Sequence, residues 1–262
     1  MKRTLTFVAA LTATVAAGAQ AQDLVYSPGT FQYRLSTELH QKQEMMGQTQ
    51  EMNRTAAQHI TLKLDSQAGD VLGFSITVDS AKSDAPAGQP SGEKLVGKTV
   101  TGTVSPTGRV LSFSAPVDSA VTEAEFRSLR SFFVRLPDKA ARGSAVTDTV
   151  ADTINTQGLE IKQFVVMTST VAGDTTIDGQ RAIILERNGT LSMSGDGEQG
   201  GQELQLEGNG TVTGKLYVSA DGGLLGGQIV NDAQMSVTVP AANMSIPITQ
   251  TSTSKIERVA AK

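Results

Sequence analysis

The sequence has no cysteine and no tryptophan, and its aromatic content is only 4%. Without cysteine there is no disulfide, thiolate nucleophile or thiolate metal site, so the fold depends on its apolar core alone. So few aromatic rings leave no stacking platform of the kind that binds bases or sugars. Neither sign of charge forms a long block. Setting aside Lys2 and Arg3 leaves 20 basic side chains against 26 acidic ones, a net charge of −6, which excludes a phosphate-dominated nucleic-acid surface and a polybasic membrane patch. No apolar run approaches the roughly 20 residues that a membrane-spanning helix needs, so no transmembrane anchor is expected. Metalloprotease, P-loop, dinucleotide and G-x-S-x-G signatures are all missing.

What is present begins with an export signal. Lys2 and Arg3 precede an apolar stretch at residues 5–17, followed by small residues at Ala17, Ala19 and Ala21 in the A-x-A spacing of a cleavage site. The expected organisation is a signal peptide at 1–21 and a single β domain at 22–262, with two similar halves meeting near 137–145. Its expected location is the periplasm or the medium.

The mature chain alternates. Phe31, Tyr33, Leu35, Thr37 and Leu39 share one parity, and Ile60, Leu62 and Leu64 share another, which predicts a long antiparallel hairpin. Two registers satisfy both patterns, one turning at Met46-Gly47 and the other at Thr49-Gln50. The second would set His40 opposite His59. Further strands are expected at 71–78, 94–104, 109–114, 145–153, 159–171, 180–187, 190–194, 202–218 and 224–239. Asn188-Gly189 reads as a turn, Gly208-Asn-Gly210 as a bulge or bend, and Pro247 demotes residues 242–254 to an edge or broken strand. One segment has a helical period: Thr122 and Glu125 form a capping box, Phe126, Leu129, Phe133 and Leu136 recur three or four apart, and Pro137 stops the run. The predicted architecture is therefore mainly β, a large curved, half-open antiparallel sheet of about 11–13 strands with one amphipathic helix on its concave face.

Chemical candidates are few. His40 and His59 are the only histidines, and two ligands make a poor metal site, so neither a metal nor a catalytic role is assigned. The pairs Asp148/Asp152 and Glu203/Glu207 share strand faces, but sugar-cleaving sites also offer aromatic surfaces. Methionines are more suggestive, because flexible thioethers line adaptable apolar cavities as well as filling cores. An apolar cavity lined by Phe126, Leu129, Phe133, Met167, Met193 and Met235 is the candidate ligand site, with no cofactor expected.

The stretches YSPGTFQYRLSTELHQKQEMMGQTQEMNRTAAQHITLKL, TVTGTVSPTGRVLSF and FRSLRSFFVRLPDKAARGSAVTDTV resemble a group of uncharacterised bacterial secreted proteins and lipoproteins. Their architecture is similar to the periplasmic lipoprotein carriers and the mycobacterial lipid-binding lipoproteins. That resemblance implies a half-open sheet lidded by helices around an apolar cavity. The lipobox cysteine of the lipoprotein members is absent here, and Gly143-Ser-Ala-Val146 has valine where relatives often have tryptophan. The expected function is a non-enzymatic protein binding a lipid or other hydrophobic molecule. The alternatives are a structural module that engages an envelope protein and a hydrolase of unknown substrate.

Overall fold

The computed structural model describes residues 22–45, 47–67, 69–85, 92–116, 126, 129–156, 158–219 and 222–259. The proposed signal peptide and the Thr122/Glu125 capping box lie outside the described residues. Eleven strands follow one another: β1 (Gly29–Met45), β2 (Gln48–Gln67), β3 (Val71–Ser83), β4 (Thr99–Val104), β5 (Val110–Ser114), β6 (Ala145–Thr156), β7 (Leu159–Ile177), β8 (Gln180–Gln199), β9 (Gln202–Ser219), β10 (Leu224–Val239) and β11 (Met244–Val259). They form one antiparallel sheet in the order β5-β4-β3-β2-β1-β11-β10-β9-β8-β7-β6. The first five strands meander to one side and the last six to the other, and the two meanders meet where β1 pairs with β11. The sheet is open, with β5 and β6 as its edges.

Turn chemistry fixes the registers. Met45 pairs with Gln48, so the first hairpin turns between these two, with Gly47 at φ +76°. This is the Met46-Gly47 alternative, and it places His40 opposite Asn53 and His59 opposite Arg34. The two histidines stand about 20 Å apart along the strands. Ile177 pairs with Gln180 around Asp178 (φ +49°) and Gly179 (φ +79°), the double positive-φ geometry of a tight hairpin.

Several strands run longer than expected. β8 passes straight through Asn188 and Gly189, which pair with Thr213 and Val212, so this dipeptide is not a turn. The β9 registers with both neighbours are likewise continuous across Gly208 and Gly210, without a bulge. β11 is not an edge, since β10 and β1 flank it. Pro247 faces Ser236 of β10 but lies one residue beyond Ile248, where the β1 register ends, so its missing N–H has no neighbour to disappoint on that side.

The largest correction concerns the amphipathic helix. Among the described residues Phe126 alone is α-helical, and no α-helix carries the Leu129, Phe133 and Leu136 stripe. The segment appears as a 3₁₀ turn, Leu129–Phe132, and then irregular chain. Phe132, Phe133 and Val134 are all buried, and a helix with a single apolar stripe cannot turn three consecutive side chains inward. The Tyr26 hydroxyl takes the place of helical pairing, accepting from the Val134 N–H at 3.0 Å and donating to the Val134 carbonyl at 3.1 Å. The Leu136 N–H donates to the Thr107 carbonyl at 2.8 Å, and Pro137 biases the residue before it away from helix.

This crossing segment plugs one end of the sheet. The Phe132 ring meets Tyr33 at 4.8 Å and the Phe133 ring meets Phe74 at 4.7 Å, over a floor that includes Ile60, Ile76, Leu185 and Leu216. The segment preceding β1 closes the same end, with the Leu24 N–H donating to the Asp138 carbonyl and Lys139 pairing with Asp23 at 2.6 Å. The core thus covers only part of strands that reach 20 residues, or about 65 Å.

Burial of phenols gives this end an alkaline signature. Burial pushes the Tyr26 hydroxyl up from 10 to about 12, against the opposing effect of its Val134 hydrogen bond, and burial raises Tyr33 further still. The folded state favours the neutral phenols, so their contribution is complete below pH 10 and disappears as pH climbs through about 12. Tyr26 alone accounts for about 2–3 kcal/mol of that loss. Urea titrations from pH 8 to 12 are expected to show this fall, and Tyr26→Phe should flatten it while lowering stability at pH 8. An unchanged slope in the variant would refute the assignment.

Candidate ligand surface

The face carrying the core is the inner face, and it continues past the plug toward the free ends of β6 to β11. There half-buried apolar side chains predominate, with Gln163 of β7 and Gln250 of β11 among them: Ile161 and Val165 on β7, Leu191 and Met193 on β8, Leu206 on β9, Met235 and Val237 on β10, and Ile246 and Ile248 on β11. Among the described residues no second layer covers them.

Glycines set the relief of this surface. Large residues stand opposite glycines in the pairs Leu191–Gly210, Met193–Gly208, Gly195–Leu206 and Gly208–Met235. A Cβ on Gly208 would sit 2.8 Å from Met235 Cγ and 3.3 Å from Met193 Cε, so both thioethers lie across the bare backbone there. Met167 covers Gly189 in the same way, its Cε 2.9 Å from where a Cβ would stand. These strand glycines create close packing between neighbouring side chains. The sequence signal was available as apolar residues and glycines sharing one parity in consecutive strands.

The six expected cavity residues divide into two groups. Met193 and Met235 meet over Gly208, with Met167 one strand further on. Phe126, Leu129 and Phe133 are buried in the plug, about 27 Å away along the strands, and share no cavity with the methionines.

Between the two groups lies Arg187, which sequence reasoning passed over. It sits on the inner face of β8, between Ser169 of β7 and Gly214 of β9. Its Nε is shut off from solvent and has no hydrogen-bond partner. Burial pulls its pKa down, and the fields of Tyr26 and Asp148 push it back up.

The other candidates do not assemble. His40 and His59 point outward, Nδ1 of His40 lying 2.5 Å from Asn53 Oδ1 and Nδ1 of His59 lying 3.0 Å from Ser80 Oγ. Asp148 and Asp152 lie four residues apart on β6, as do Glu203 and Glu207 on β9, a backbone separation of about 13 Å that exceeds the spacing of a glycosidase pair. Inward-facing Asp148 and Asp152 on the edge strand β6 instead discourage an additional strand from pairing there. Among the described residues no three acidic or histidine side chains converge as metal ligands, and no helix is long and apolar enough to cross a membrane. An open depression of 640 Å³ lies over β6 to β8, lined mostly by polar side chains around half-exposed Phe164.

No family model matches the chain, and no curated protein matches it. Among solved structures it is similar to a triple mutant of the Rhodopseudomonas blastica porin, with 10% identity and a TM-score of 0.30 over 87% of this chain and 100% of that one. It is also similar to a DUF1329 family protein from Desulfovibrio piger, with 11% identity and a TM-score of 0.17 over 86% of this chain and 83% of that one. At these scores the similarities carry no argument about mechanism.

Proposed function

We propose that this chain is a non-enzymatic exported protein, acting in the periplasm or outside the cell, that holds a lipid or other hydrophobic molecule against the free end of its inner sheet face. The observation that carries this reading is the half-buried apolar surface around Met193 and Met235. It is continuous across five strands, uncovered among the described residues, and floored by glycines over which the flexible thioethers lie. The plug supports it indirectly, because the core it builds at the other end leaves this end free for a guest. Exposed apolar area of this kind gains about 25 cal/mol per Å² when a ligand removes it from water.

A neutral fluorescent probe, N-phenyl-1-naphthylamine, tests the reading directly. Saturable fluorescence enhancement is expected with the mature protein. The double variant Met193→Asp/Met235→Asp should weaken binding at least tenfold, about 1.4 kcal/mol, per folded molecule, with thermal melts establishing the folded fraction. Absence of uptake, or equal uptake by the double variant, would overturn the proposal.

A further inference from the structure

We infer that Arg187 is the head-group site for a long-chain carboxylate whose tail runs along β8 toward Met193. This rests on the apolar-ligand reading and adds to it a charge, a polarity and a direction.

Arg187 stands where the plug gives way to the uncovered apolar face, under the influence of Tyr26 on the plug side. A guanidinium carries its charge at all ordinary pH values, and its Nε here is already desolvated without a partner. The residue as a whole is half-buried rather than sealed, and a carboxylate's paired oxygens match the guanidinium fork. No carboxylate of the described residues forms an ion pair with it. The nearest acid on the inner face, Asp148, lies two strands away on β6, since β7 intervenes.

The path away from Arg187 is apolar. Gly189, Leu191 and Met193 follow on the same face of β8, and Met167 reaches across Gly189 from β7. Six residues of strand separate Arg187 from Met193, about 20 Å. One acyl chain occupies about half of a bilayer's roughly 30 Å hydrocarbon core, so a single chain fits within this path. Opposite charge at one end and a thioether-covered floor at the other specify an amphiphile with one anionic head.

The test compares cis-parinaric acid with its methyl ester, both below micellar concentration at pH 8, on the mature protein. The expected result is at least tenfold tighter binding of the acid. R187Q should bring the acid down to the ester's affinity, R187K should restore part of the preference, and D148N should tighten the acid a fewfold by removing a competing negative charge. Circular dichroism and thermal melts establish that each variant is folded. If R187Q does not fold, the acid–ester comparison in the natural protein together with D148N decides. Equal binding of acid and ester would overturn the head-group site while leaving the apolar surface standing. An acid preference that survives in R187Q would also overturn it. Binding of neither compound would remove both readings.

Discussion

Truncating Phe133 to alanine lowers the unfolding free energy by about 3–5 kcal/mol, the range for deleting a buried phenylalanine. The ring is 9% exposed and lies between Phe74 at 4.7 Å and Tyr26 at 5.9 Å, with Phe132 edge-on at 6.2 Å. Collapse into the space is resisted, because the two hydrogen bonds between Tyr26 and Val134 pin the chain next to it. The cost therefore belongs at the upper part of that range, where the cavity persists. Phe164→Ala is the control, since that ring is 46% exposed and its loss should stay within about 0.5 kcal/mol. The comparison also discriminates between roles. A phenylalanine that lids a guest changes ligand affinity when removed, whereas one that fills a core changes stability. Probe affinity per folded molecule is expected to be unchanged in Phe133→Ala, measured alongside urea unfolding. A destabilisation under 1 kcal/mol with a loss of probe affinity would return Phe133 to the binding site.

The strands were legible in the sequence because one wet face and one dry face give a period of two, and that pattern alone locates β1, β2 and most of β7. The plug was not legible. Phe126, Leu129, Phe133 and Leu136 fit a helical period, but Phe132 and Val134 are buried as well, and their burial depends on Tyr26, which lies 108 residues earlier in the chain. Pro247 caused the misreading of β11 as an edge, and glycine caused the misread turn and bulge. The same residue serves a tight turn at Gly179 and a close side-chain approach at Gly189 and Gly208, and only the neighbouring strands distinguish the two uses. Reading Asn188-Gly189 as a turn split β8 immediately after Arg187. That break removed the arginine from the continuous inner face on which it stands in line with Leu191 and Met193, and with it the cationic group of the candidate site.

Replacing Thr37 with proline is expected to cost about 3 kcal/mol or more and to weaken both meanders together. Thr37 lies in the middle of β1, between Ala56 of β2 and Ser254 of β11, with its hydroxyl 3.2 Å from the Ser254 hydroxyl. A strand flanked on both sides has no direction in which a missing N–H goes unnoticed, and the proline ring also intrudes on a neighbour. Pro247 marks the contrast, for it sits where only the β10 side is paired, and Pro247→Ala should change stability by no more than about 0.5 kcal/mol. The effect of Thr37→Pro reaches past β1 because the β1–β11 pairing is the hydrogen-bonded seam between the two meanders. The plug shares one core with both halves, with Tyr33 and Phe74 of the first meander and Leu185 and Leu216 of the second. Loosening the seam therefore exposes Ile256 and Tyr33 on its two sides at once. Hydrogen exchange should show amides of β2 and β10 losing protection in parallel in the variant. Loss confined to β1–β5, with β9 and β10 still protected, would mean that the C-terminal meander is stable by itself and that the seam does not couple them.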